Sequence, residues 1–140
     1  MTIQMNCSES QAADLLRSKG IGLTAQRLAI TRVLFARRVH LSAEDVFRLV
    51  NSDGHHVSKA TVYNTLGMLA REGVIREVIA DPDRVFYDPN TEPHHHFFDT
   101  TTGQLTDIPA EDIRLSGMPS LPAGAELEGV DVIIRLRPAS

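Results

Sequence analysis

Ser58-Lys59-Ala60-Thr61-Val62-Tyr63-Asn64-Thr65-Leu66-Gly67-Met68-Leu69-Ala70-Arg71-Glu72-Gly73 is the stretch that decides the fold. Ser58 is a favoured helix N-cap and Gly73 a favoured stop. Between them Val62, Leu66 and Leu69 recur on one side of a helix turning about 100° per residue. Ala60, Asn64, Gly67 and Arg71 point the opposite way, with Tyr63 on the flank. Two small residues, an amide and a guanidinium make a face that can approach a surface closely. Asn can pair with adenine, and Arg can reach guanine or phosphate.

The flanks extend this reading. Downstream, Val74–Ile79 and Val85–Tyr87 read as two strands joined by the turn Asp81-Pro82-Asp83-Arg84, and a hairpin directly after such a helix is a wing. Upstream, Ser8 or Ser10 opens a helix to about Lys19, stopped by Gly20. Thr24 caps another from Ala25 to about Arg38, and Ser42 a third with Glu44 and Asp45 in its first turn. In that third helix Ala43, Val46, Phe47 and Val50 form one buried stripe, ended by Gly54. The sum is a winged helix-turn-helix with Lys59–Glu72 as recognition helix. Any small helical domain carrying a hairpin is the plainer alternative.

Charge favours the sharper reading. The chain of 140 residues is acidic overall, with a net charge of −4. Residues 15–76 nevertheless hold ten Lys/Arg against four acids, a net +6, while residues 91–140 hold three against eight, a net −5. A basic half can engage phosphates although the whole is acidic. Lys19, Arg27, Lys59, Thr61, Tyr63, Asn64 and Arg71 are the candidate DNA contacts, with Asn64 the best placed for base readout and Lys19 and Arg27 for the backbone or minor groove.

The composition changes at Pro89-Asn90-Thr91-Glu92-Pro93. The expected organisation is a DNA-binding domain over 1–89, a hinge over 90–93, and a second domain over 94–140. There His94-His95-His96 follow one another. In a strand alternate side chains share a face, so His94 and His96 point together and His95 points away, open to another site or a haem iron. His40 lies in the loop before the third helix, and Asp88, Asp99, Asp107 and Glu111 offer carboxylates. Imidazoles with carboxylates suit divalent iron, zinc or manganese better than calcium or magnesium. With a single cysteine, Cys7, the chain can form neither an internal disulfide nor a Cys-rich zinc site.

The remainder reads as α/β. Gln104–Ile108 is a strand, Ala110–Leu115 an amphipathic helix, and Val130–Leu136 a strand too apolar on both faces to stand exposed. About 45 residues rarely bury a sufficient core alone, so a homodimer is expected, with higher oligomers left open. It would present two recognition helices to a palindromic site. The fold class is therefore α+β, a winged helix-turn-helix domain followed by a small α/β dimerisation domain. No stretch is long and apolar enough for a membrane span, no leader is evident, and a cytoplasmic location is expected.

Several of these residues together resemble the ferric uptake regulator family. Leu23-Thr24-Ala25-Gln26-Arg27 is similar to its "T-x-x-R" helix opening, His40-Leu41-Ser42-Ala43-Glu44-Asp45-Val46 to its "H-(V/L)-S-A-E-D-(V/L)" segment, and Ala60–Leu66 to its recognition-helix "A-T-V-Y-x-x-L". The run Arg84–Asp107 resembles its metal-binding hinge and first dimerisation strands. The resemblance implies a transcription regulator that is not an enzyme. It also implies a sensing site at His40, His94, His96 and Asp107. Tyr87 stands where the family usually has a Glu, and Asp88 is the substitute beside it. Asp99 and Thr102 occupy a usual Cys-x-x-Cys pair, so no structural four-cysteine zinc is expected. In a second, regulatory site Pro93 replaces a histidine and His95 an aspartate.

Lost cysteines with a triple His resemble the haem-responsive iron response regulators. That branch implies operator binding under iron scarcity, control of iron homeostasis and haem biosynthesis genes, a haem-delivering or haem-synthesis protein as partner, and haem on His94, His95 or His96. Cys7-Ser8 is an incomplete form of the branch's Cys-Pro haem motif, leaving Cys7 a weak candidate ligand. A generic iron, manganese or zinc-dependent repressor is the alternative within the family. A His-rich metalloenzyme and a small haem or iron carrier are the alternatives outside it; neither a His-Glu-x-x-His motif nor a nucleophile elbow supports the enzyme.

Overall fold

The computed structural model describes residues 7–36, 40–52 and 54–139. The chain divides into two compact units, the first ending at Thr91 and the second beginning at Glu92.

Four helices build the first unit: α1 (Glu9–Ser18), α2 (Ala25–Phe35), α3 (Ala43–Ser52) and α4 (Lys59–Arg71). Each begins on a hydroxyl cap. Ser8 Oγ accepts from Gln11 N–H while the Gln11 side chain accepts from Ser8 N–H. Thr24 Oγ1 accepts from Arg27 N–H at 3.1 Å and Ser58 Oγ from Thr61 N–H at 3.1 Å. Ser42 and Asp45 form the same reciprocal box ahead of α3. These bonds satisfy amide groups that a helix start otherwise leaves unpaired. Helix α2 ends at Phe35 rather than about Arg38, and Arg37 and Arg38 lie outside the described residues.

Helices α1 and α4 stop in the same way. Gly73 (φ +74°) follows α4, with Val74 N–H on the Leu69 carbonyl and Gly73 N–H on the Ala70 carbonyl. Gly20 (φ +70°) and Ile21 repeat this pattern on Arg17 and Leu16. The left-handed residue is cheap only for glycine, and the residue after it returns to the core. Leu16, Ile30, Leu34, Val46, Val50, Val62, Leu66 and Leu69 are buried together in one cluster. Truncating any of its leucines to Ala would cost about 2–5 kcal/mol.

A hairpin follows, β2 (Arg76–Asp81) with β3 (Arg84–Asp88), and a short strand unforeseen in the sequence, β1 (Leu41–Ser42), pairs antiparallel with β3. Four helices and this small sheet make the winged-helix unit.

The second unit has β4 (His94–Asp99), β5 (Leu105–Pro109) and β6 (Ile133–Leu136) in the order β5-β4-β6. Strands β4 and β5 are antiparallel, β4 and β6 parallel. The helix expected over Ala110–Leu115 is instead a single 3-10 turn, Ala110–Asp112. Six residues are too few to sustain a helix without packing, and Leu115 is exposed. The strand expected over Val130–Leu136 is ordered as β6 only from Ile133, and Ile134 and Leu136 are 38% and 42% exposed. No helix among the described residues is long and apolar enough to cross a membrane.

Candidate metal centre and nucleic-acid interface

Helix α4 turns Val62, Leu66 and Leu69 inward, each fully buried, and leaves Ala60, Tyr63, Asn64 and Arg71 exposed. The Arg71 guanidinium lies across Gly67, its Nη1 3.4 Å from where a Cβ would stand. Tyr63, at 47% exposure, is the large aromatic on this surface.

The other candidate contacts are differently occupied. Lys59 is bound to Glu44 at 3.0 Å and its Nζ sits 5.8 Å from the Phe47 ring centroid. The hydrogen bond and charge of Glu44 hold the Lys59 ammonium above the usual lysine range. Lys59 thus links α4 to α3. Thr61 is part of the cap, receiving the Ser58 hydroxyl at 2.9 Å. Arg27 donates from Nη1 to the Gly22 carbonyl at 2.7 Å, which pins its guanidinium beside the start of α2. Lys19 is exposed, its Nζ 3.9 Å from where a Gly73 Cβ would stand, at the C-terminal end of α4.

In the same unit the pairing of β1 with β3 has a chemical consequence. Leu41 faces Tyr87, so in antiparallel register His40 comes opposite Asp88. His40 Nε2 lies 3.0 Å from Asp88 Oδ2. Asp88 is buried, and its other oxygen accepts from Asn90 N–H at 2.9 Å. Tyr87 belongs instead to the helical core, where burial pushes its phenol up. Adjacent strand residues point to opposite faces, so one of the pair must pack inward and the other supply a carboxylate.

In the second unit, β4 and β5 place His96 directly opposite Asp107, with His94 two residues along on the same face. The Nε2 atoms of His94 and His96 each lie 3.4 Å from Asp107 Oδ1. The two rings meet edge to face with centroids 4.5 Å apart. Both imidazoles are buried and Asp107 is half exposed, so the cluster opens to solvent on the carboxylate side. His94 Nδ1 is 2.6 Å from the Glu92 carbonyl. A carbonyl only accepts, so Nδ1 carries a hydrogen, and in the neutral ring Nε2, the atom turned toward Asp107, keeps a lone pair for an ion. One donor atom from each of the three residues lies within 4.8 Å of the others. Two imidazoles and a carboxylate so arranged fit a divalent transition ion.

His95 is used otherwise. It is buried, and its Nδ1 accepts from Val132 N–H at 3.1 Å, tying β4 to the chain entering β6. The neutral ring then carries its hydrogen on Nε2. His95 Nδ1 is thus engaged within the second unit, away from the face shared by His94 and His96. Cys7 lies in the first unit. Its thiol faces the Ser8 carbonyl at 3.7 Å, its own carbonyl accepts from Arg32 Nε at 3.2 Å, and burial pushes the thiol up. A raised thiol is the reverse of what a thiolate ligand requires.

A model described as the ferric uptake regulator family matches residues 18–131. The chain belongs to this family. A peroxide-responsive repressor, PerR, of Staphylococcus aureus strain Mu50 is 31% identical over 107 residues, 76% of this chain and 71% of that protein. The ferric uptake regulator of Pseudomonas aeruginosa with manganese superposes with a TM-score of 0.69 at 24% identity, covering 92% and 98% of the two chains. That of Francisella tularensis with iron gives 0.70 at 23%, covering 85% and 92%. At those identities the likeness to the two structures is one of fold.

Ferric uptake regulator family members are metal-responsive transcription regulators and not enzymes. Asp99 and Thr102, where the resemblance led to the expectation of no cysteine-held zinc, form part of the β4–β5 turn. Asp99 Oδ1 accepts from Thr101 N–H at 2.8 Å and Thr102 N–H at 3.1 Å.

Proposed function

We propose that this protein is a divalent-metal-dependent regulator that binds operator DNA as a homodimer through α4, with iron as its first candidate ion and manganese or zinc as the others. The observation that carries the reading is the convergence of His94 and His96 Nε2 on one Asp107 oxygen, in a chain whose family consists of regulators. Tyr63, Asn64 and Arg71 read or clamp DNA, and Lys19 and Arg27 meet phosphate. Lys59 and Thr61 stand at the start of the helix, bonded to Glu44 and Ser58.

The proposed ligand set is His40, Asp88, His94, His96 and Asp107. His40 with Asp88 offers two donors and the β4–β5 cluster three, whereas a transition ion takes four to six. Asp88 and His94 are six positions apart in the sequence, so the chain tethers the two donor groups within about 20 Å at full extension. A bound ion would supply a cross-link between donors of the two units. His40 and Asp88 then couple the unit carrying α4 to the unit carrying the histidines, so that occupancy favours one arrangement of the recognition helices over others. Homodimerisation is supported by the exposed Leu115, Met118, Leu121, Leu127, Ile134 and Leu136 of the second unit.

The finer reading, in which His94, His95, His96 or Cys7 takes haem iron and the targets are iron and haem-biosynthesis genes, rests on the resemblance to the haem-responsive branch. The name of the staphylococcal relative adds peroxide as a further input to try.

One titration tests these readings. A duplex is selected from a random library, and its binding to the purified chain is measured without metal, with ferrous or manganous ion, with haem, and after peroxide. An ion-dependent change in selective affinity, abolished in the His94→Ala/His96→Ala variant, supports the metal reading. Equal affinity with and without ion refutes it. Sedimentation of a monomer at micromolar concentration refutes the dimer.

A further inference from the structure

Among the described residues, the Asn51 side chain bridges the turn between α3 and α4. Asn51, in the last turn of α3, donates from Nδ2 to the Phe47 carbonyl at 2.9 Å and to the Val57 carbonyl at 3.0 Å. Its Oδ1 accepts from Val57 N–H at 2.8 Å. Both amide hydrogens and the oxygen are engaged, and the carbonyls on one side with the N–H on the other admit a single orientation of the amide. Val57 is thus gripped through both its backbone groups, and its side chain is buried in the core cluster. The next residue, Ser58, is the cap of α4. Between the gripped points Gly54, His55 and His56 are exposed, and Gly54 has φ +89°.

We infer that Asn51 is a positioning residue for DNA recognition: its clamp sets where α4 begins against α3, and therefore where Tyr63 and Asn64 stand. The inference rests on α4 being the recognition helix. Core packing of Val62, Leu66 and Leu69 keeps α4 attached. It does not by itself fix the start of the helix, because apolar contacts are non-directional whereas hydrogen bonds are lost with a shift of about 1 Å. Asparagine is suited to the role because it offers two donors and an acceptor without charge. An aspartate would confront two carbonyls.

The test compares selective with non-selective binding in the full chain. Asn51→Ala is expected to weaken binding to the selected duplex about tenfold or more, the size of a mismatched base pair, while binding to random duplex changes by less than about twofold because phosphate contacts are tolerant of position. Val50→Ala removes core packing from the same helix without touching the clamp, and is expected to lower thermal stability yet keep the selected-to-random ratio. Asn51→Asp retains the shape and the acceptor for Val57 N–H, so its ratio falls between wild type and Asn51→Ala, and it serves should the alanine variant fail to fold. A ratio unchanged in both Asn51 variants overturns the inference. So does an equal fall in Val50→Ala, which would make the effect one of stability. A wild-type chain with no preference for any duplex removes the recognition-helix reading itself, a result visible before any variant is made.

Discussion

Consecutive histidines that serve different purposes should separate cleanly on mutation. In His95→Ala the Val132 N–H loses its 3.1 Å acceptor. A net hydrogen bond of about 0.5–1.5 kcal/mol disappears, and the vacated space beside a partly buried amide brings the cost to about 1–3 kcal/mol. At 1.36 kcal/mol per decade that is a roughly 5- to 150-fold loss of protection. It should be read by hydrogen exchange at the Val132 amide and at the His96 amide, which donates to the Val132 carbonyl at 3.2 Å. Ion affinity should be retained. His96→Ala instead removes a proposed ligand. Structural zinc binding of about 10–16 kcal/mol over four ligands implies roughly 2.5–4 kcal/mol for each, a loss of about 10²–10³-fold in a competitive chelator titration. If His95→Ala weakens ion binding as much as His96→Ala, or leaves Val132 exchange unchanged, the division of labour along β4 is wrong.

Three further outcomes are expected. Tyr63→Ala should weaken binding to the selected duplex while leaving circular dichroism and sedimentation unchanged; undiminished affinity would count against the α4 assignment. Thr31 is fully buried with no hydrogen-bond partner for Oγ1 among the described residues, so Thr31→Val should raise stability by up to about 1 kcal/mol, seen as a higher midpoint in urea, and a lower midpoint would show that the hydroxyl is satisfied. Cys7 has its thiol raised by burial, a shift the nearby Arg32 charge opposes; because the neutral thiol is the favoured form, alkylation by iodoacetamide should be slower than for an unfolded control at neutral pH and accelerate only above the ordinary cysteine range, and equal rates would remove the burial explanation.

Much of the first unit was legible in the sequence because its signals are local. Ser8, Thr24, Ser42 and Ser58 each cap a helix within three residues, and the spacing of Val62, Leu66 and Leu69 reports the buried face of α4 without knowledge of what it packs against. The common face of His94 and His96 likewise follows from the two-residue period of a strand. What tertiary structure decided was pairing between segments far apart in the chain. Leu41-Ser42 is too short to announce itself as a strand, and only its register with β3 brings His40 opposite Asp88 and sends Tyr87 to the core. The role of His95 depends on Val132, 37 residues away, and no periodicity encodes that distance. Residues 110–115 have a helical pattern but bury none of it against the described residues beyond a single 3-10 turn, and a six-residue helix without burial does not form. Caps, stops and faces are set by bonds along the chain, whereas partners across strands are chosen by the energy of burying whole surfaces together.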